Sequence, residues 1–465
     1  MMKMKEEKIY IYIALVVGIL FVFLVPPFQS PDEDSHFKKS YEISSGKLYS
    51  IEKGGKAGNY FPNDMLSYID DKLTYIGNRD KKYTFSEFTN DQYSKINYDD
   101  KKFVSYSTSN VLPIIYMAPA IGITFSKLIA KIFGMSSISP AYMLYFARLF
   151  SLLFSCFLIY KAIKITPILK KTMLTIGLIP MTVYLSSMVT YDNILLACTL
   201  LSSAVMLDLI FNKKREKISK KQILILSLIG IVLLNVKIIY FFSYLLLLFV
   251  PKKKYGSEKK ESIKNICVMG AIIIVGTIVL KIPYMLQDLV GGNNLFGKQL
   301  TFIIENPLKY SKILLDNVIN QRQFQLIGMI GIFGLVDTYL PVSLVGLYLI
   351  YFIVFILVEA SNSKYVLSLS KKGIILLYIL FAVASIYTIM YLDWTTQLFQ
   401  VVGGTQITGV QGRYFLPLLY PFSLLFINRK KNISNFGTIV LNNYLIIPLI
   451  MLAVSLIVIL LRFWA

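Results

Sequence analysis

The chain has 465 residues, 55% of them hydrophobic, and a mean hydropathy of +0.61, which excludes an ordinary soluble domain of this length. Its formal charge of +22 sits in lysine clusters that separate apolar runs, so it reads as loops held at an anionic membrane surface and not as a nucleic-acid face. Cys156, Cys198 and Cys267 lie inside apolar runs, so they are expected to be small buried hydrophobes, with neither a disulfide framework nor a thiolate metal site.

Lys3, Lys5 and Lys8 precede the first apolar run, 9–25. The exit Val25-Pro26-Pro27-Phe28 lacks a small-residue cleavage pattern, so the run is predicted to be an uncleaved anchor. Runs approaching the roughly 20 residues a span needs recur at 143–160, 173–189, 195–211, 268–280, 342–358, 374–391, 414–427 and 441–461.

Charge asymmetry sets the topology. The basic loops around Lys161–Lys171, Lys213–Lys221, Lys252–Lys264, Lys364–Lys372 and Arg429–Lys431 are predicted to be cytoplasmic. Between the second and third, the stretch holding Asn235 and Lys237 must leave and return, so a thin hairpin is expected with Lys237 near its outer turn. Residues 26–110, with 13 acidic and 12 basic residues, fall outside. Parity then requires 111–133, which holds Pro113, Pro119, Lys127 and Lys131, to lie in the interface or re-enter; 325–340 is expected to re-enter from outside. The expectation is one all-α polytopic membrane domain of about eleven spans. It comprises a first span to 25, a large outer loop 26–141, core spans 142–281, an outer loop 282–340, and terminal spans 341–465 with an outer loop 392–412.

Residues with chemical potential collect at the outer ends. In Ser30-Pro31-Asp32-Glu33-Asp34-Ser35-His36, Ser30 as N-cap, Pro31 as N1 and Glu33 as N3 form a capping box, and the acids suit a helix start on that ground alone. Equally, Asp32 and His36, four apart, suit a general base or a cation ligand, with His36 either touching substrate or orienting a neighbour. Asp192 follows Thr190-Tyr191 at the outer end of a span, as a cap or a functional acid. Lys237 either snorkels or pairs with a phosphate. The glycine-rich 401–412 loop ends at Gln411-Gly412-Arg413-Tyr414, where Arg413 offers a planar fork to phosphate oxygens. Arg322, Lys298 and Lys309 add charge to the 282–340 segment.

Ser30-Pro31-Asp32-Glu33-Asp34-Ser35-His36-Phe37 with Tyr41 to Gly46, Tyr191-Asp192, Phe333 to Asp337 ahead of Pro341, and Gly409 to Pro417 together resemble a bacterial membrane family, domain of unknown function 2142. That family is similar to GT-C glycosyltransferases. The resemblance implies a GT-C-like bundle with interfacial helices in its first outer loop, in the bacterial cytoplasmic membrane, with the amino terminus inside and the active face outside. It implies inverting transfer of a sugar from a polyprenyl-phosphate donor, such as an undecaprenyl-linked one, to a cell-envelope glycan or lipid. Asp32 or Glu33 would be the catalytic base; His36, Asp192, Lys237, Arg322, Asp337, Gln411, Arg413 and Tyr414 would contact substrate. Some members of the wider group use a divalent cation, Mg or Mn, for which Asp32, Glu33 and Asp192 are the candidate ligands. Two departures stand out: Asp34 replaces a small residue or proline, and Leu335 replaces a tryptophan. A transporter or flippase, or a polymerase, of lipid-linked saccharides is the alternative.

Overall fold

The computed structural model describes residues 4–135, 137–256, 259–288, 294–428 and 435–465. Helix α1 (Glu6–Leu24) is apolar along its length and stops before Pro26-Pro27, which cannot continue an α-helix. Helix α2 (Glu33–Ser44) opens a segment that is not all helical. Strands β1 (Ile51–Lys53), β2 (Lys56–Pro62) and β3 (Lys101–Ser105) form an antiparallel sheet in that order, enclosing α3 (Asn63–Leu73) and α4 (Phe85–Tyr93) in the chain between β2 and β3. The chain is mostly helical, consistent with the all-α expectation, and these few short strands are an addition to it. Alternation of apolar and polar residues over three to seven positions is too short a signal to separate a strand from a loop.

Helix α5 (Met117–Ile132) follows a 3-10 turn, and α6 (Pro140–Ile165) follows α5. The apolar run 173–189 is not one span: α7 (Lys170–Gly177) and α8 (Pro180–Ser186) are separated at Pro180, which supplies no N–H to the preceding turn. The chain continues with α9 (Asp192–Phe211), α10 (Lys220–Val236) and α11 (Ile238–Phe241), then the 3-10 stretch Phe242–Phe249, α12 (Lys259–Asp288), α13 (Asn294–Glu305) and α14 (Pro307–Gly331). The stretch 325–340 consists of the end of α14 and a two-residue pairing of β4 (Ile332–Phe333) with β5 (Thr338–Tyr339). Last come α15 (Val342–Ser361), α16 (Leu369–Met390), α17 (Thr396–Phe399), the 3-10 stretch Gly412–Leu418, α18 (Leu419–Leu424), α19 (Asn435–Asn442) and α20 (Ile446–Phe463). Arg429 to Lys431, expected to mark the last basic loop, lie outside the described residues.

Eight helices among the described residues are long and apolar enough to cross a membrane, against the eleven or so expected. The shortfall lies in interrupted elements. Pro180 divides one run, Pro417 and Pro421 keep 414–427 short, and the thin hairpin is split at Lys237. The protein is therefore a multi-pass, predominantly helical membrane protein.

Its two ends differ in chemistry. At one, here the lysine end, Glu7 at the start of α1 meets Lys170 at 3.9 Å, and Glu359 from α15 accepts from the backbone N–H groups of Lys171 and Thr172. The N–H of Ile218 donates to the carbonyl of Lys254, so the hairpin returns to where it left, as its flanking charges required. At the opposite, loop end, the end of α1 meets Arg148 of α6. The carboxyl-terminal residues reach the same end, where the Trp464 indole N–H donates to Leu24.

Helix α5 runs beside α2. His36 and Tyr116 hydrogen-bond near the start of each, and Lys127 reaches Ser44 and Ser45 near the end of α2. It therefore follows a helix whose sequence is polar, although by length it is among the eight. Helix α9 is buried on every side, and packs on α6 and α10 as the centre of the bundle. Cys156 and Cys198 are buried as expected; Cys267 is not, because it faces outward from α12.

Candidate functional site

Three interruptions of helix deliver charged side chains to one point at the loop end. Asp192 is the first residue of α9. Lys237 occupies the extended residue between α10 and α11, at φ −146° and ψ 94°, where the α10 hydrogen-bond ladder ends. Arg413 lies in the first turn of the 3-10 stretch that follows the glycine-rich loop. Lys237 Nζ is 3.1 Å from one Asp192 oxygen, and Arg413 Nε is 2.8 Å from the other. The Lys237 ammonium also sits over the Tyr414 ring, 3.8 Å from its centroid, and 5.1 Å from that of Tyr191. One carboxylate is thus clamped by two cations in a site where all three side chains are at most 19% exposed.

Asp32 stands at the mouth. Its backbone is left-handed, φ 59°, an uncommon conformation for a non-glycine residue, and it directs the carboxylate to within 3.8 Å of Arg413 Nη2. Of the cluster, Asp32 alone is exposed, at 62% of its side chain. The surrounding protein nevertheless displaces enough water to raise its pKa above the ordinary carboxylate value. Arg413 opposes the shift, while the negative charges of Asp192 and Asp34 reinforce it.

His36 lies beneath, hydrogen-bonded to the Tyr116 hydroxyl at 2.6 Å and edge-on to Tyr191. Burial lowers its pKa to about 4, against an opposing pull from Asp192, so it is neutral at physiological pH.

Two expectations for Glu33 are corrected. No capping box forms at Ser30, because α2 begins at Glu33 with Asp32 as its N-cap and without a side-chain cap. Nor is Glu33 poised as a base. It is fully buried, and its two oxygens accept Arg148 Nε at 2.8 Å and Nη2 at 2.5 Å and the N–H of Val189 at 3.1 Å. The remaining Arg148 donors go to the carbonyls of Val22, Val25 and Pro26, so the guanidinium ties the end of α1 to the start of α2. Fully buried and bonded three times, this carboxylate is not presented to a substrate. The sequence carried a signal for this partner that the motif reading passed over: an arginine inside the apolar run 143–160 needs a counter-charge.

Gln411 and Tyr414 flank Arg413, and Gln411 lines the same crevice. Other candidates are elsewhere. Asp337 pairs with Arg462 of α20 at 2.8 Å, fastening the β4–β5 hairpin to the carboxyl-terminal helix. Arg322 is exposed on α14 and donates to the carbonyl of Ile319, facing a groove between α14 and α15. Lys298 and Lys309 are exposed on α13 and α14, away from the cluster. The donor set does not suit a divalent cation. Asp192 is already neutralised by two side chains and Glu33 by a third, and no group of three His, Cys, Asp or Glu is gathered among the described residues.

These features define a polytopic membrane protein with a charged cluster collected at one end of its bundle. The chain belongs to the family described as predicted membrane protein (DUF2142), whose model matches residues 15–421 and so takes in all four members of the cluster. No curated protein and no solved structure matches it.

Proposed function

We propose that the protein is a glycosyltransferase that moves a sugar from a polyprenyl-phosphate donor, an undecaprenyl-linked one being the natural candidate, to a cell-envelope glycan or lipid on the outer side of the bacterial cytoplasmic membrane. One observation carries the reading: Asp32, Asp192, Lys237 and Arg413, far apart in sequence, share a single site in which an exposed carboxylate lies beside two half-buried cations. Inverting transfer needs that pairing. Asp32 takes the proton of an acceptor hydroxyl as its oxygen bonds to the anomeric carbon. The bond from that carbon to the phosphate oxygen breaks, and its electron pair stays on the lipid phosphate. Arg413 and Lys237 offset the charge developing there, while Asp192 holds both cations in place. Saccharide transport is the weaker reading, since it would call for ionisable groups along a midplane path, and these gather at one end.

Asp32→Asn should insert and fold like the native chain yet lose about 10²-fold or more in sugar transfer from a purified lipid-linked donor. Full activity of that variant would remove Asp32 as the base. Activity of the native protein should fall as pH drops through the raised Asp32 pKa, because only the deprotonated carboxylate accepts the proton.

A further inference from the structure

The loop before Arg413 is not free. It lies along α14 on a ladder of three amides, Asn317, Gln321 and Gln325, spaced four apart and therefore on one face. Asn317 donates to the Thr405 carbonyl at 2.8 Å and accepts from the N–H of Ile407 at 2.9 Å. Gln321 donates to the Ile407 carbonyl at 2.7 Å, and Gln325 to that of Val410 at 3.1 Å. The amides also bond to one another, Gln321 Nε2 to Asn317 and Gln325 Nε2 to Gln321, so each fixes the rotamer of the next. Such hydrogen bonds replace the secondary-structure partners that backbone in an irregular segment lacks.

At the end of the ladder Gly412 touches the helix itself. A Cβ there would stand 2.3 Å from both the Gln325 carbonyl oxygen and the Met329 nitrogen, which are backbone atoms with no room to give. Beyond it, the Tyr240 hydroxyl donates to the carbonyl of Tyr414 at 2.6 Å. The arginine is thus set between two backbone anchors, one on α14 and one on α11.

We infer that the Asn317–Gln321–Gln325 ladder and Gly412 form a positioning device that fixes Arg413 against Asp192 and thereby sets the site's affinity for a lipid phosphate. None of these residues touches the proposed phosphate; they act through Arg413. The inference rests on the proposed function for its ligand but not for its geometry.

The test uses the full-length protein in nanodiscs, with undecaprenyl phosphate as the probe and native mass spectrometry as the readout. Gln321→Glu keeps the shape of the side chain and its acceptor toward Gln325, but turns an oxygen toward the Ile407 carbonyl. Gly412→Ala inserts the forbidden methyl. Each should weaken lipid-phosphate binding about tenfold, Gln321→Glu at unchanged melting temperature and Gly412→Ala at a lowered one. If the ladder works through Arg413, adding Gln321→Glu to Arg413→Ala should cost nothing beyond Arg413→Ala alone, a non-additivity that a general loss of packing would not produce. Hydrogen exchange across 405–412 should rise in Gln321→Glu. Should Gly412→Ala fail to accumulate, Gln321→Glu carries the test. Native binding that is measurably weakened in Arg413→Ala yet within twofold of native in Gln321→Glu overturns the inference and leaves the proposed function standing. No binding by the native protein counts against the proposed function instead, and the exchange result then decides the ladder: a rise supports it and unchanged exchange overturns it.

Discussion

Glu33 and Arg148 illustrate how neighbouring acids in one motif divide their work. Asp32 and Glu33 are adjacent, but a left-handed residue turns the first to the mouth and buries the second. All five Arg148 N–H groups are committed, two to Glu33 and three to backbone carbonyls. Breaking a buried pair costs about 3–5 kcal/mol because the surviving charge is stranded. Arg148→Met, which also orphans three carbonyls, should therefore lower the melting temperature in detergent more than Glu33→Gln does. A Glu33→Gln protein as stable as the native one, yet without transfer activity, would return Glu33 to the chemistry.

His36 gives a pH dependence of known sign. Its folded pKa of about 4 lies below the unfolded value of about 6.5, so between these the unfolded chain binds the extra proton. Stability should fall as pH drops from roughly 6.5 toward 4, and the melting temperature of His36→Gln should lack that part of the slope. A native protein whose curve over that window matches the variant's would show that His36 titrates normally.

At the scale of elements, what the sequence made legible follows from the length of each signal. Long apolar runs such as those in α1, α6, α9, α15 and α20 were readable because roughly a full span of hydrophobic residues has few other solutions. The hairpin around Lys237 was readable from the charges flanking it. The short sheet β1–β3 was not, nor the break at Pro180, where a proline inside an apolar run is compatible with a kink as well as an end. In the site, Asp32, Asp192, Lys237 and Arg413 were recognisable because isolated polar residues near the ends of spans are costly without a purpose. Asp337 has the same appearance in the sequence, and in the fold it pairs with Arg462, 125 residues away. The amide ladder of α14 left no trace in the sequence. Asn and Gln are ordinary helix-surface residues, and their partners are main-chain atoms whose position only the fold defines.

Across the whole molecule, the separation of charge gives the bundle a polarity that can be measured directly. The lysine end gathers Lys170, Lys171, Arg215 and Lys254, while the loop end carries the β1–β3 sheet and the Asp32 site. Basic loops are retained on the cytoplasmic side of a membrane, so the loop end should face outward. With Cys156, Cys198 and Cys267 replaced, a single cysteine at exposed Glu52 in β1 should react with a membrane-impermeant maleimide in intact cells. One at exposed Lys217, between α9 and α10, should react only after the membrane is opened. Labelling of the second position in intact cells would invert the orientation and put the Asp32 site in the cytoplasm. There an acceptor in the outer envelope is out of reach, and the proposed reaction would have to be abandoned even if the ion-pair cluster proved essential.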